Sequence, residues 1–309
     1  MTKVKRYLVT GLDGQVVQSL IRQAANDTSV EIVAIGRPEL DLAKPETITA
    51  AVMELQPDLI ISAAAYTAVD QAESESALAH AVNTDGPSAL AAAAANLGVP
   101  IVQISTDYVF DGAKRTPYNE ADAVSPLGVY GASKLGGEKA VAAATDNYAI
   151  LRTAWIYSPF GKNFLKTMLR VAEGRDVVNV VDDQFGNPTS ALDIAEAVLA
   201  VSRGLLASSD PGLRGIFHMT ANGEASWADF AEEIFRSSAE IGGPCARVTR
   251  IPSSDYPTPA KRPTSSRLDC RKLFDTYGVS LPQWQNSTKK TVAEIIRTAR
   301  TTEISGDHT

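Results

Sequence analysis

Short apolar runs of strand length punctuate the first half of the chain: YLVTG, EIVAIG, DLIISAAA, VPIVQIST and NYAILRT. Between them, residues 15–26, 45–55, 74–83, 87–97 and 130–144 read as helices, each opening near a proline, serine or glycine signal. Strand alternating with helix implies right-handed βαβ crossovers and a parallel sheet covered on both faces. Residues 1–155 are therefore expected to form one doubly wound α/β domain. The second half loses this alternation. It mixes helices such as SWADFAEEIFRSSAEIG, opened by a Ser226 cap, with proline-rich loops such as IPSSDYPTPAKRP. This pattern predicts a smaller, mainly substrate-binding region over 156–309, with a segment near 180–202 returning to the sheet. The tail TTEISGDHT, from about residue 301, is expected to be disordered.

Composition narrows the class. With 309 residues, 44% of them hydrophobic and 21% charged, the chain can bury a large core. A net charge of −7 with both signs mixed along the chain argues against a nucleic-acid partner, which would want clustered Lys and Arg. Cys245 and Cys270 lie far apart and outside any metal-ligand spacing, so a reduced, cytoplasmic setting fits. The alanine-rich SALAAAAANLGV is too short and too weakly apolar to span a bilayer. His80, His218 and His308 sit in no nucleophile or metal context, which leaves a hydrolase without its machinery.

The first strand ends in TGLDGQVV, placing Gly11 and Gly14 at the turn into a helix that starts with Gln15 and Val16. Glycines at such a turn let backbone N–H groups approach a pyrophosphate lying at the helix N-terminus, as in a Rossmann-like dinucleotide fold. Val17 stands where a third glycine is usual. After the second strand, Gly36 is followed by Arg37 where an acidic residue would bind a ribose 2′-hydroxyl; a guanidinium there favours a 2′-phosphate. NADPH is accordingly the expected cofactor, with NADH the alternative. Asp41 and Leu42 are placed to flank the adenine, and the small residues Ala63, Ala64 and Ala65 would let the cofactor lie close to the backbone.

The stretch ISTDYVFDG brings Ser105, Thr106 and Asp107 to the carboxyl end of a strand, where open α/β sheets bind ligands and a hydroxyl can meet a substrate carbonyl. Farther on, YGASK sets Tyr130 and Lys134 one helical turn apart on one face. An ammonium about 5 Å from the phenol, at an effective dielectric near 20, is worth roughly 3 kcal/mol and would lower its pKa by about two. A Tyr-x-x-x-Lys alone is weak. Hydroxyl, phenol and lysine beside a nucleotide turn form a far more specific set.

The set TGLDGQV, SAAAYTAVDQAE, STDYVFDG, SPLGVYGASKLGGEKA, LRTAWIY, NFLKTMLRVA, VVDDQFGNPTS and YPTPAKRPTSSRLD strongly resembles the dTDP-4-dehydrorhamnose reductase family of extended short-chain dehydrogenases, over about residues 5–295. Related dehydratases carry Thr-Asp-Glu where this chain has Thr106, Asp107 and Tyr108, which fits reduction better than dehydration. The resemblance implies Tyr130 as proton donor, Lys134 as its electrostatic partner and ribose ligand, and Thr106 as the residue orienting the sugar ketone. It implies a dTDP-sugar as substrate, with Trp155 contacting it and Arg262 and Arg267 clamping its diphosphate. Members of the family are thought to dimerise through magnesium held by glutamates. Two such positions here hold Ser19 and Leu192, so no metal is expected, and a homodimer stays open. Two rivals remain at this stage: a reductase or epimerase of another nucleotide sugar, and a non-catalytic NADP-binding regulatory subunit, against which the retained Thr106, Tyr130 and Lys134 argue.

Overall fold

The computed structural model describes residues 4–306. Its centre is a six-stranded sheet. The chain enters through β1 (Lys5–Thr10), α1 (Gln15–Ala24), β2 (Val30–Ile35), α2 (Pro45–Leu55) and β3 (Leu59–Ser62). Two short helices, α3 (Val69–Ala72) and α4 (Ser76–His80), lead into α5 (Gly86–Leu97), β4 (Ile101–Thr106), α6 (Val129–Ala144) and β5 (Tyr148–Thr153). After β6 (Ile156–Tyr157) come α7 (Phe164–Ala172), β7 (Val177–Val181), β8 (Phe185–Gly186), β9 (Thr189–Ser190), α8 (Ala191–Ala207) and β10 (Gly215–His218). The remainder is β11 (Ala225–Ser226), α9 (Trp227–Ala239), β12 (Arg247–Ile251), α10 (Arg271–Tyr277) and α11 (Trp284–Gly306).

Strand order is β10-β5-β4-β3-β1-β2, and every pairing in this sheet is parallel. Period-two alternation divides its side chains between two cores. Tyr7, Val9, Leu59, Ile61, Val102 and Leu151 face α1 and α8, where they meet Val17, Leu20, Ile194 and Val198. Leu8, Ile60, Ile101 and Ile150 face α2 and α5, where they meet Ile48, Val52, Leu90 and Ala94. Such double-sided burial is why these strands read as continuous apolar runs. A further core joins α7, α9 and α11 through Leu165, Phe230, Ile234, Trp284, Val292 and Ile296. No helix among the described residues is long and apolar enough to cross a membrane.

The structure departs from the sequence reading in several elements. The helix expected over 74–83 is broken: α4 ends at His80 and a π-helical turn, Ala81–Asp85, carries the chain into α5. That wider turn aims Asn83 inward, where its side chain accepts from the Tyr66 N–H at 2.8 Å and donates to the Tyr66 carbonyl and the Ser133 hydroxyl at 3.0 Å each. The sixth strand, β10, was not expected; it pairs with β5 from Gly215↔Ala149 to His218↔Arg152. The tail expected to be disordered from about 301 is helical to Gly306, continuing α11 from its buried Val292 and Ile296, and residues 307–309 lie outside the described residues.

Candidate active site

The turn after β1 is shaped by Gly11, whose φ of 98° lies where only glycine is comfortable. A Cβ there would also press on the Ala64 methyl at 3.2 Å and Val17 at 3.4 Å, so the turn lies directly against β3's end. Thr10 ties the two strand ends together, its hydroxyl accepting from the N–H groups of Ala63 and Ala64, both at 3.0 Å. From this turn a cleft of about 370 Å³ runs along the carboxyl ends of the strands. It brings together Gly11, Gly14, Gln15, Val16, Ala63, Ala64, Ala65, Tyr130 and Lys134, all expected from sequence. The free N–H groups at the start of α1 open into one end of it, the arrangement that suits a pyrophosphate.

Sequence reasoning missed part of the wall. Thr67, Ile156, Gly161 and Lys162 also line the cleft, beside Ser105, which the strand end had placed there. The Gly161–Lys162 corner belongs to the turn before α7, capped by Asn163 through the Lys166 N–H at 3.0 Å. Gln15 reaches across to this turn, its side-chain oxygen accepting from Ser158 Oγ and Asn163 Nδ2, both at 2.9 Å. The run SPFGKN carried a turn signal, but nothing in it revealed that the turn folds back onto the first helix.

Other expected cofactor residues lie outside the cleft. Arg37 is exposed beyond the end of β2. Asp41 turns its carboxylate onto the Ala43 N–H at 3.0 Å, and Leu42 is buried against Gly86 in the core beneath α5.

At the reacting end, Thr106 closes β4 and caps the short 3₁₀ turn Asp107–Val109, accepting from the Tyr108 N–H at 3.2 Å. Its own hydroxyl donates to Asp107 Oδ1 at 3.0 Å. Asp107 is buried, and burial pushes its carboxyl up to about 6 against the hydrogen bonds of Ser266 and Thr106. Tyr130 stands in the first turn of α6, its ring edge-on to Tyr108 at 5.7 Å and its phenol close enough to be influenced by Thr106. Gly131 allows this packing, since a Cβ there would strike the Tyr108 carbonyl.

The electrostatics reverse the sequence expectation for this tyrosine. Burial pushes the Tyr130 phenol up to about 12, with Thr106 pulling the other way and the charge of Asp107 adding to the rise. Lys134 does not lower it as expected, because the Lys134 ammonium donates at 2.6 Å to the Ile104 carbonyl on β4. It is itself buried and pushed down to about 8, a fall opposed by the negative charge of Glu138. The phenol at neutral pH is therefore a protonated donor.

Of the expected substrate residues, Thr106 and Asp107 stand beside Tyr130, whereas Trp155, Arg262 and Arg267 are engaged elsewhere. Trp155 has a φ of 47°, unusual for a bulky residue, and its indole stacks on Trp227 at 3.6 Å with Gly186 pressed against it. Arg262 forms a bidentate pair with Asp70, at 3.0 and 2.8 Å. Arg267 pairs with Glu224 at 2.9 Å and donates to Ser265 Oγ at 3.1 Å. Neither arginine is a free cation awaiting a diphosphate. Next to Tyr130 a narrow crevice is walled by Tyr108, Leu127, Gly128, Ala260, Lys261 and Pro263, so the loop carrying Arg262 overhangs the reacting end.

Comparison with known proteins gives a consistent picture. Residues 5–297 match the family model described as the RmlD substrate binding domain. A dTDP-4-dehydrorhamnose reductase of Sinorhizobium fredii is 54% identical over 287 residues, covering 93% of this chain and 96% of that protein. One of Burkholderia thailandensis is 41% identical over 297 residues, covering 94% and 99%. Among solved structures, a dTDP-4-dehydrorhamnose reductase from Clostridium acetobutylicum superposes with a TM-score of 0.87 at 39% identity, covering 94% of this chain and 99% of that one. The Bacillus anthracis reductase, solved in complex with NADP, gives 0.87 at 33% identity with the same coverage.

Proposed function

Because the chain belongs to the dTDP-4-dehydrorhamnose reductase family, we propose that it reduces the C4 ketone of dTDP-4-dehydro-L-rhamnose with NADPH, giving dTDP-L-rhamnose as the last step of that sugar nucleotide's synthesis. The observation that carries this reading is that Tyr130, with Thr106 beside it, and Lys134 line the same cleft as the glycine turn after β1.

The cleft fits the cofactor: Gly11 sits where a Cβ would press on Ala64, and the N–H groups opening α1 suit the pyrophosphate. Gly14, Gln15, Val16 and Ala63 to Ala65 would flank it, and Lys134 would reach its ribose. When bound, NADPH supplies the hydride. The chain's own part is acid catalysis and positioning. The Tyr130 hydroxyl gives its proton to the oxygen of the ketone as negative charge grows there. In this reading the Thr106 hydroxyl turns from Asp107 to orient the same oxygen, and the Lys134 ammonium turns from the Ile104 carbonyl toward the phenolate left behind. Asp107 and Trp155 are proposed to hold the sugar. Arg262 and Arg267, each paired with a carboxylate, brace the loop beside it. In this reading the sheet half binds the cofactor and residues 156–309 mainly serve the sugar nucleotide.

The test offers dTDP-4-dehydro-L-rhamnose and NADPH to the purified protein and follows the nicotinamide absorbance. Stoichiometric consumption with formation of dTDP-L-rhamnose is expected; an unchanged absorbance would overturn the assignment.

A further inference from the structure

Behind Lys134, outside the cleft, lies a buried ion pair that acid catalysis by Tyr130 does not itself require. Glu138 follows Lys134 by one turn of α6, and Arg152 lies on β5. Their side chains are only 2% and 3% exposed. Arg152 grips the carboxylate with both arms, Nε to Oε1 at 2.9 Å and Nη2 to Oε2 at 2.7 Å. Ser105 Oγ donates to the same Oε1 at 2.5 Å. Ser105 and Arg152 are partners in the register of β4 and β5, so one carboxylate fastens the helix to two neighbouring strands. One turn earlier, the Lys134 ammonium fastens it again through the Ile104 carbonyl. The face of the guanidinium is covered by Phe110, 5.1 Å away.

A buried pair of this kind is a poor device for stability alone, since desolvation offsets most of its attraction and apolar residues of similar volume often serve as well. Its position suggests another use. We propose that Glu138, anchored by Arg152 and Ser105, is a positioning residue for the reduction: it keeps the Lys134 ammonium charged and holds α6, with Tyr130, in register with Thr106. This rests on the reduction assigned above. The elements around α6 supply few other charges. α5 and β4 carry no titratable side chain; α3 offers Asp70, already paired with Arg262, and at its end Glu73, which accepts the Val129 N–H at 2.9 Å; α4 offers His80, bonded to Thr84; the π-helical turn offers Asp85. Past β4 stand Asp107 and Tyr108, on β5 stand Tyr148 and Arg152, and on α6 itself stand Tyr130 and Lys139. Glu138 is the one among them that acts on the ammonium, against the loss of hydration.

The experiment is the pH profile of kcat/KM, which reports ionisations of the free enzyme. For the wild type, activity is expected to fall as pH rises through about 8, where Lys134 loses its proton. Glu138→Gln keeps an acceptor for Ser105 but removes the charge. It is expected to move this alkaline limb down by roughly one pH unit and to lower kcat more than it changes KM. Because that variant leaves Arg152 unpaired and can fail to fold, Glu138→Gln/Arg152→Met provides a neutral pair, with a smaller displacement in the same direction expected because the Arg152 charge leaves with the carboxylate. Glu138→Asp, which withdraws the charge by one methylene, is expected to move the limb part of the way and decides the matter if neither neutral form folds. A purely structural role would lower melting temperature and rate at every pH and leave the limb in place; an unmoved limb in a folded variant overturns the proposal. Absence of NADPH consumption by the wild type would instead remove the reduction itself, and this inference with it.

Discussion

Tyr130 is held as an acid. With its phenol pushed up to about 12, it stays protonated across the neutral range, and in the proposed reaction its proton would leave only when a stronger base, the oxygen of a ketone receiving a hydride, comes within reach. Tyr130→Phe removes that proton while keeping the ring against Tyr108, so turnover is expected to fall by about 10²-fold or more with cofactor affinity nearly unchanged. Steady-state rates with a fluorescence titration of NADPH check both halves; retained turnover would show that another group is the acid. If exposed Arg37, beyond the end of β2, serves the proposed 2′-phosphate by charge, Arg37→Asp is expected to move the ratio of kcat/KM for NADPH over NADH toward NADH. The identity of Tyr130 and Lys134 was legible from a four-residue spacing, but the sign of the shift was not. Spacing says which side chains share a face; it does not say how much water each loses, or that the ammonium would find a strand carbonyl before it found the phenol.

The same limit appears among the elements. Strands buried on both faces announce themselves, and LIIS and IVQIST needed no more than their apolar runs. The edge strand GIFH is four residues long with two of them half-buried, and no run marks it. The break between α4 and α5 was illegible because a single π-helical turn shifts the helical face without changing composition. That break matters, for it puts the Asn83 carbonyl and Thr84 against α6, which meets them with glycines. A Cβ at Gly136 would lie 2.5 Å from Thr84 Oγ1, and one at Gly137 would strike the Asn83 carbonyl. By propensity alone, Gly137→Ala in mid-helix should gain up to about 1 kcal/mol. The obstacle is backbone and cannot rotate away, so overpacking by about 1–3 kcal/mol is expected to win, lowering stability and displacing Tyr130 and Lys134 together. Gly174→Ala, with nothing within 4 Å of the new methyl, is the control and should be close to neutral. Urea unfolding beside kcat/KM distinguishes the two, and a Gly137→Ala protein as stable and active as the wild type would show that α6 can retreat without cost.

At the scale of the molecule, the site lies on the seam between the sheet and the core built on Phe230 and Trp284, and several polar contacts cross that seam. Gln15 crosses to Ser158 and Asn163, Thr264 crosses to the Gly112 carbonyl at 3.0 Å, and Arg262 crosses to Asp70. Sequence indicated Arg262 as a functional cation but could not reveal that an aspartate 192 positions away neutralises it. The pair is partly open to solvent, with side chains 22% and 40% exposed, so it should contribute no more than about 1 kcal/mol to stability. Its weight falls on geometry instead. Asp70 also accepts from the Ala260 N–H at 3.2 Å, so one carboxylate holds both ends of the Ala260–Arg262 turn that overhangs Tyr108 and Tyr130. Asp70→Asn weakens all three hydrogen bonds at once and changes no side chain in the cleft. The expected result is a melting temperature within about 2 °C of the wild type, a KM for the nucleotide sugar raised several-fold, a KM for NADPH left alone, and faster proteolysis within residues 252–264. Salt bears on the same contact, since screening of an exposed pair should raise the wild-type sugar KM with ionic strength and leave the variant's nearly flat. The opposite sign is equally informative. A sugar KM that falls in Asp70→Asn would mean that Arg262 must leave its carboxylate to serve the diphosphate, and the brace would then be a competitor of the substrate.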